Sequence, residues 1–220
     1  MQTIGNIPQI IKNVDDLYVG DLVHYFRVVF NHARNLRLPY HNFRHMFHVL
    51  WLCHQAGMYY KKELTRRDIR NLLIAAMFHD YDHRGLIGDD DINIVLATRG
   101  LERHILDEDR PSFNVIRSLI NATEYPYKGP SESLSLSAQI IRDADLSQVL
   151  SVAWIQQVVF GLATEWNKKP IEVLAMQGPF MSSLKFHTEW AQKLFPQSDI
   201  EAKIAETRLF LDLLNGSATQ

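Results

Sequence analysis

Ala75-Ala76-Met77-Phe78-His79-Asp80-Tyr81-Asp82-His83 is the stretch whose reading decides the fold. An apolar helical run ends there in adjacent His and Asp, where packing alone would favour Leu or Ala, and burying unpaired polar groups is costly. A divalent cation satisfies both side chains, because neutral imidazole and carboxylate are good ligands for first-row metals and the ion offsets the carboxylate's charge. Neighbours on a helix diverge by about 100°, so the pair can share an ion only if another helix supplies ligands between their directions. Upstream, His41 and His45 stand four apart, on one helical face and about a turn from each other. Downstream, Arg142-Asp143-Ala144-Asp145-Leu146-Ser147 offers two candidate carboxylates after the apolar run Ala138 to Ile141. Taken singly, each feature has a plainer reading: a polar helix face for His41 and His45, a hydrogen-bonded core histidine for His79, an N-cap for Asp145. His48 and His54 read as packing or surface histidines, because they extend the row away from the point where His41 and His45 converge.

Working outward, the dominant period is helical, with no run of alternating strand residues, and the expected fold class is all-α. Asp21 to Leu36 places Leu22, Phe26, Val29, Phe30 and Ala33 on one stripe. A second helix is expected from Asn42 to Tyr60. A third opens on the capping box Thr65-Arg66-Arg67-Asp68 and leads into His79-Asp80. Asp91 is read as the cap of a short helix through Thr98. Further helices are expected over Ser112 to Ala122, Ser135 to Arg142, Leu146 to Trp166, Ile171 to Met176 and Phe180 to Leu194. A capping box at Ser198-Asp199-Ile200-Glu201 opens a terminal helix that stops at Asn215-Gly216. Tyr125 to Ser133 is the clearest loop, too short for a domain linker.

A chain of 220 residues with 46% hydrophobic content falls within the range of one large domain, expected to be a single unit over 1–220. The single cysteine, Cys53, excludes an intrachain disulfide and sits in an apolar stretch, which suits a small buried hydrophobe. With a formal net charge of −2 and dispersed basic residues, nothing marks a nucleic-acid or anionic-membrane partner. There is no apolar run of membrane-spanning length and no signal-peptide layout in the first thirty residues, so a soluble cytoplasmic protein is the expectation.

Taken together, the order His45, His79-Asp80, Asp145 resembles the HD-domain superfamily of metal-dependent phosphohydrolases, and the flanking residues resemble the catalytic domain of class I cyclic-nucleotide phosphodiesterases. Tyr40-His41-Asn42-Phe43-Arg44-His45 is similar to that family's Y-H-N-x-x-H, and His79-Asp80-Tyr81-Asp82-His83-Arg84-Gly85 to its H-D-x-D-H-x-G. Leu101-Glu102-Arg103-His104 looks like a reduced L-E-N-H-H, Ala122-Thr123-Glu124 like A-T-D, and Ala144-Asp145-Leu146-Ser147 like A-D-L-S. The likeness runs from about Tyr40 to Trp190.

The resemblance implies a metal-dependent hydrolase of phosphoester bonds, a 3′,5′-cyclic-nucleotide phosphodiesterase using a metal-activated hydroxide and a histidine general acid. Two divalent cations are implied, Zn²⁺ with Mg²⁺ or Mn²⁺; the N/O ligand set would also accept iron. It implies His45, His79, Asp80 and Asp145 as metal ligands, with Asp80 reaching toward the second ion. His41 matches the proton donor to the leaving oxygen, and His83 and Glu102 match residues that steady the second metal's surroundings. Gln177 and Phe180 keep the spacing of the pair that clamps the base of a small-molecule nucleotide substrate. A carboxylate such as Glu102 or Glu124 would fix the tautomer of His41. Departures fall elsewhere: His48 stands where the family has Asp, and Gly88-Asp89-Asp90-Asp91 with Asn93 replaces the family's Asn after H-x-G. The alternatives are a nucleotidase or other phosphomonoesterase of the same superfamily, and a non-catalytic metal-binding regulatory module. The sequence leaves oligomeric state open.

Overall fold

The computed structural model describes residues 22–127, 130 and 133–216. Within them lie ten α-helices and no strand, as the helical periodicity predicts. These are α1 Val23–His32, α2 Phe43–Tyr59, α3 Arg66–Phe78, α4 Asp90–His104 and α5 Phe113–Asn121, followed by α6 Leu136–Leu146, α7 Phe160–Glu165, α8 Pro170–Ser183, α9 Glu189–Leu194 and α10 Gln197–Leu214.

α3 is the axis of the molecule. Every residue from Ile69 to Phe78 is buried, which is the pattern of a helix covered on all sides, and α2, α5 and α6 are its covers. Its start is the expected capping box: Thr65 accepts from the Asp68 N–H while Asp68 accepts from the Thr65 N–H at 2.9 Å. Asn42 caps α2 by accepting from the Arg44 N–H at 2.8 Å, and Ser135 caps α6 by accepting from the Ala138 N–H at 3.3 Å. These caps fix where the central helices begin, and so which residues stand at their far ends. Cys53 is buried in this core, as its apolar setting suggests.

Several boundaries differ from the sequence reading, each for a local reason. α1 ends at His32, where Ala33 turns extended, and a 3₁₀ turn over Arg34–Arg37 completes the segment; Asp21 lies outside the described residues. α4 runs on to His104, because the ring of Tyr81 lies 2.4 Å from where a Cβ on Gly100 would stand, making that glycine a packing notch rather than a stop. α6 continues through Asp143 to Leu146, so Asp145 stands in its last turn and is not the N-cap of a following helix. The single helix expected over Leu146 to Trp166 is instead a 3₁₀ turn, an extended Ser151, a π-turn over Ile155–Val159 and α7, with a 101° bend between the two arms. Pro179 lies inside α8, whose buried residues Val173, Leu174, Gln177 and Met181 hold both sides of it to the core, so Phe180 belongs to α8. The chain then turns extended at Leu184, and Thr188 caps the short α9. The second box does not form, since Ser198 bonds to its neighbour Asp199 and α10 starts behind Pro196. Among the described residues no single helix is long and apolar enough to cross a membrane, although the bent pair Leu136–Leu150 with Ile155–Glu165 passes on length and composition.

A buried ion pair ties α1 and α3 to the turn after α4. Asp109 accepts from Tyr25 Oη at 2.6 Å, from Arg70 Nε and Nη2 at 2.8 Å each, and from Arg67 Nη1 at 2.7 Å, while Arg70 and Asp109 have no exposed side-chain surface. Breaking such a pair strands a buried charge. Asp109→Ala is therefore expected to lower the unfolding free energy in urea by about 3–5 kcal/mol. Arg67→Ala removes the partly exposed partner and should cost about 1 kcal/mol or less.

Candidate metal centre

The far ends of α3 and α6 meet the first turn of α2, and each brings a ligand type. His45 Nε2 lies 3.0 Å from Asp145 Oδ1, 3.4 Å from His79 Nε2 and 3.4 Å from Asp80 Oδ2. His79 Nε2 lies 3.3 Å from Asp80 Oδ2 and 3.6 Å from Asp145 Oδ1. Two donors bound at about 2.1 Å to one ion sit about 3.0 Å apart in octahedral and about 3.4 Å in tetrahedral geometry. The observed separations match that arrangement, and His45, His79 and Asp145 could hold a metal ion. Asp80 Oδ2 adds a second sign: it is buried and accepts no hydrogen bond, an expense that a cation removes.

The imidazoles are set for ligation from behind. His79 Nδ1 donates to Ala76 O at 2.9 Å, and His45 Nδ1 donates to Gln148 Oε1 at 2.7 Å; Gln148 in turn donates through Nε2 to Gln157 Oε1 at 2.6 Å. Both rings thereby turn Nε2 toward the carboxylates, the outer-sphere arrangement that fixes tautomer and orientation. Burial works against charge here. Even so, Asp80 and then Asp145 hold the His79 pKa well above the usual histidine value, while His79 and His45 hold Asp80 well below the usual carboxylate range. An ion would replace these shared protons, so binding releases protons.

A second constellation lies beside the first. His41 Nδ1 donates to Glu165 Oε2 at 2.7 Å, and Glu165 Oε1 accepts from the N–H groups of Tyr40 at 2.6 Å and His41 at 2.8 Å. Glu165 comes from the end of α7, which can approach this closely because Gly161 has no side chain: a Cβ there would stand 3.1 Å from Pro39 O and 3.0 Å from Tyr40 Cβ. Burial disfavours charge on His41, but the Glu165 bond and the Asp80 charge outweigh it, and its pKa rises above the ordinary value. The His83 ring stacks on His41 at 3.7 Å. Burial and the neighbouring His41 push its pKa down to about 4, so a neutral ring underlies His41. His83 Nδ1 accepts from the Gly85 N–H at 2.9 Å, and Asn93 Nδ2 lies 2.9 Å from Nε2.

These groups open into one cavity of about 520 Å³, a size that takes a nucleotide-sized ligand. The structure brings His41, His45, His79, Asp80, His83, Asp145, Gln177 and Phe180 together on its walls. Glu102 does not join them. α4 turns Asn93, Ile94, Ala97 and Leu101 inward, and Glu102, one residue beyond Leu101, is exposed. Neither Glu102 nor Glu124 is the partner of His41; that partner is Glu165. His48 donates or accepts at Ser147 Oγ (3.2 Å), with burial lowering its pKa to about 4, and His54 stacks on Trp51, in keeping with packing roles. Sequence reasoning missed Glu165, Gln148 and Asp90. Asp90 lines the cavity from the start of α4, where its Oδ2 accepts from the Tyr125 N–H, and burial with the charges of Asp145 and Asp80 raises its pKa.

No curated protein matches this chain. Residues 40–93, about a quarter of the sequence, which carry His41, His45, His79, Asp80, His83 and Asn93, match the model of the 3′5′-cyclic nucleotide phosphodiesterase family.

Proposed function

We propose that this protein is a metal-dependent phosphohydrolase that opens 3′,5′-cyclic nucleotides to 5′-nucleotides. The observation that carries the reading is the convergence of His45, His79 and Asp145, whose ligand atoms lie 3.0–3.6 Å from one another, with Asp80 Oδ2 3.3–3.4 Å from both imidazoles, beside a histidine held by a buried carboxylate. His45, His79, Asp80 and Asp145 would hold the first of two divalent cations. Bound there, the cations would supply Lewis acidity toward phosphoryl oxygens and bring a water's pKa from about 15.7 to near 7.

The rest of the chemistry belongs to the chain. His41 has Nδ1 committed to Glu165 and Nε2 left for the cavity, so it is placed to give a proton to the departing ester oxygen, a step worth roughly 10²–10⁴ in rate. Glu165 keeps that proton on the imidazole until it is needed. Gln177 is buried with Nε2 on Val173 O at 3.2 Å and Oε1 without a partner, which leaves an acceptor for a base amino group. Phe180 and the apolar walls Ile94, Val158 and Leu162 cover the base and exclude water. A site that held metal only for structure would have no use for a carboxylate-bound histidine beside it, which argues against a non-catalytic module.

Product analysis tests the proposal. Protein loaded with Zn²⁺ and Mn²⁺ is expected to release 5′-nucleotide from a 3′,5′-cyclic nucleotide and to leave 5′-mononucleotides intact. Release of inorganic phosphate from the mononucleotide, with the cyclic compound untouched, would identify a nucleotidase instead.

A further inference from the structure

The cavity carries an imbalance of charge. Asp80, Asp90 and Asp145 all line it, and no lysine or arginine does among the described residues. Glu165 is matched by His41, and His83 is neutral. A phosphodiester monoanion entering this space would face three carboxylates at close range, in surroundings where charges interact more strongly than in water. One divalent cation at His45, His79, Asp80 and Asp145 leaves the cavity net negative. Two leave a single positive charge, the complement of a phosphodiester. The third carboxylate, Asp90, is the group that makes room for the second ion.

Its placement is specific. Asp90 opens α4 on the short segment after Gly88, and the Tyr125 N–H holds its Oδ2, so the carboxylate is pinned at the cavity wall. Asn93, one turn on, accepts from the Arg84 N–H at 3.0 Å and packs with Nδ2 2.9 Å from His83 Nε2, which anchors this first turn of the helix beside the site. Asp80 Oδ2 is buried in the same cavity without a hydrogen-bond partner, and its charge, with that of Asp145, bears on Asp90. Glu102, the other acidic candidate, is exposed on the far side of α4.

We propose that Asp90 holds the second divalent cation and so sets the metal stoichiometry of the site. The proposal rests on the metal-dependent reading above but is tested by binding, not turnover. Calorimetric titration of metal-free protein with Mn²⁺ is expected to give two equivalents for the parent. Asp90→Asn keeps an oxygen for the Tyr125 N–H and removes only the charge. It should retain one equivalent at the parent's affinity and bind the second at least about tenfold more weakly, the scale at which losing a metal-supporting group is felt. A parent that takes one equivalent, or an Asp90→Asn protein that takes the second as tightly as the parent, overturns the assignment. A parent that takes two equivalents yet cleaves no phosphodiester refutes the proposed function and leaves the role of Asp90 standing.

Discussion

Asp80→Ala is expected to remove metal and activity together. Losing a supporting group behind a ligand costs roughly 10–100-fold in metal affinity, and losing a ligand itself should exceed that. Turnover should fall by more than the roughly 10²–10³ that one missing charge-stabilising donor costs, because the ion goes with the side chain. Elemental analysis and phosphodiester kinetics check the two parts. A variant that binds as much metal and cleaves as fast as the parent would sink the metal-centre reading.

The second large effect belongs to His41. His41→Ala should keep the parent's metal content and lose about 10²–10⁴ in rate on a cyclic nucleotide, whose leaving alkoxide needs a proton. A nitrophenyl phosphodiester, whose leaving group departs as a stable anion, should lose far less. Equal losses on the two substrates would remove His41 from the acid role. Glu165→Gln supplies the pH arm. The acid functions only while protonated, and the Glu165 bond and charge raise the His41 pKa; without that charge the proton leaves at lower pH. The alkaline limb of the rate profile should therefore move to lower pH, and an unmoved limb would leave Glu165 with a purely positional role.

The central helices and the candidate ligands gathered at their ends were legible because both rest on local pattern. Apolar periodicity, with the capping box at Thr65, located the starts of α2, α3 and α6. What was not legible lies where local signals compete with packing. The helix read only through Thr98 continues past Gly100, which is a notch for Tyr81. Ser198 has the look of a cap, yet bonds its neighbour. The break at Ser151 leaves no mark stronger than the apolar run around it. Glu102 followed a four-residue likeness, but the phase of α4 turns it outward. Glu165 could not be found by spacing, since it meets His41 only because a bend and a short helix return the chain across 124 residues.

Gly161 shows how far the reach of selection extends from the chemistry. A Cβ there would stand 3.1 Å from Pro39 O and 3.0 Å from Tyr40 Cβ, a contact tight enough to press α7 away from the stretch that carries His41. Substitution at position 161 should consequently weaken the bond between Glu165 and His41. In a lineage of such chains, losing this glycine would herald a protein that still captures metal while its hydrolysis of demanding esters decays.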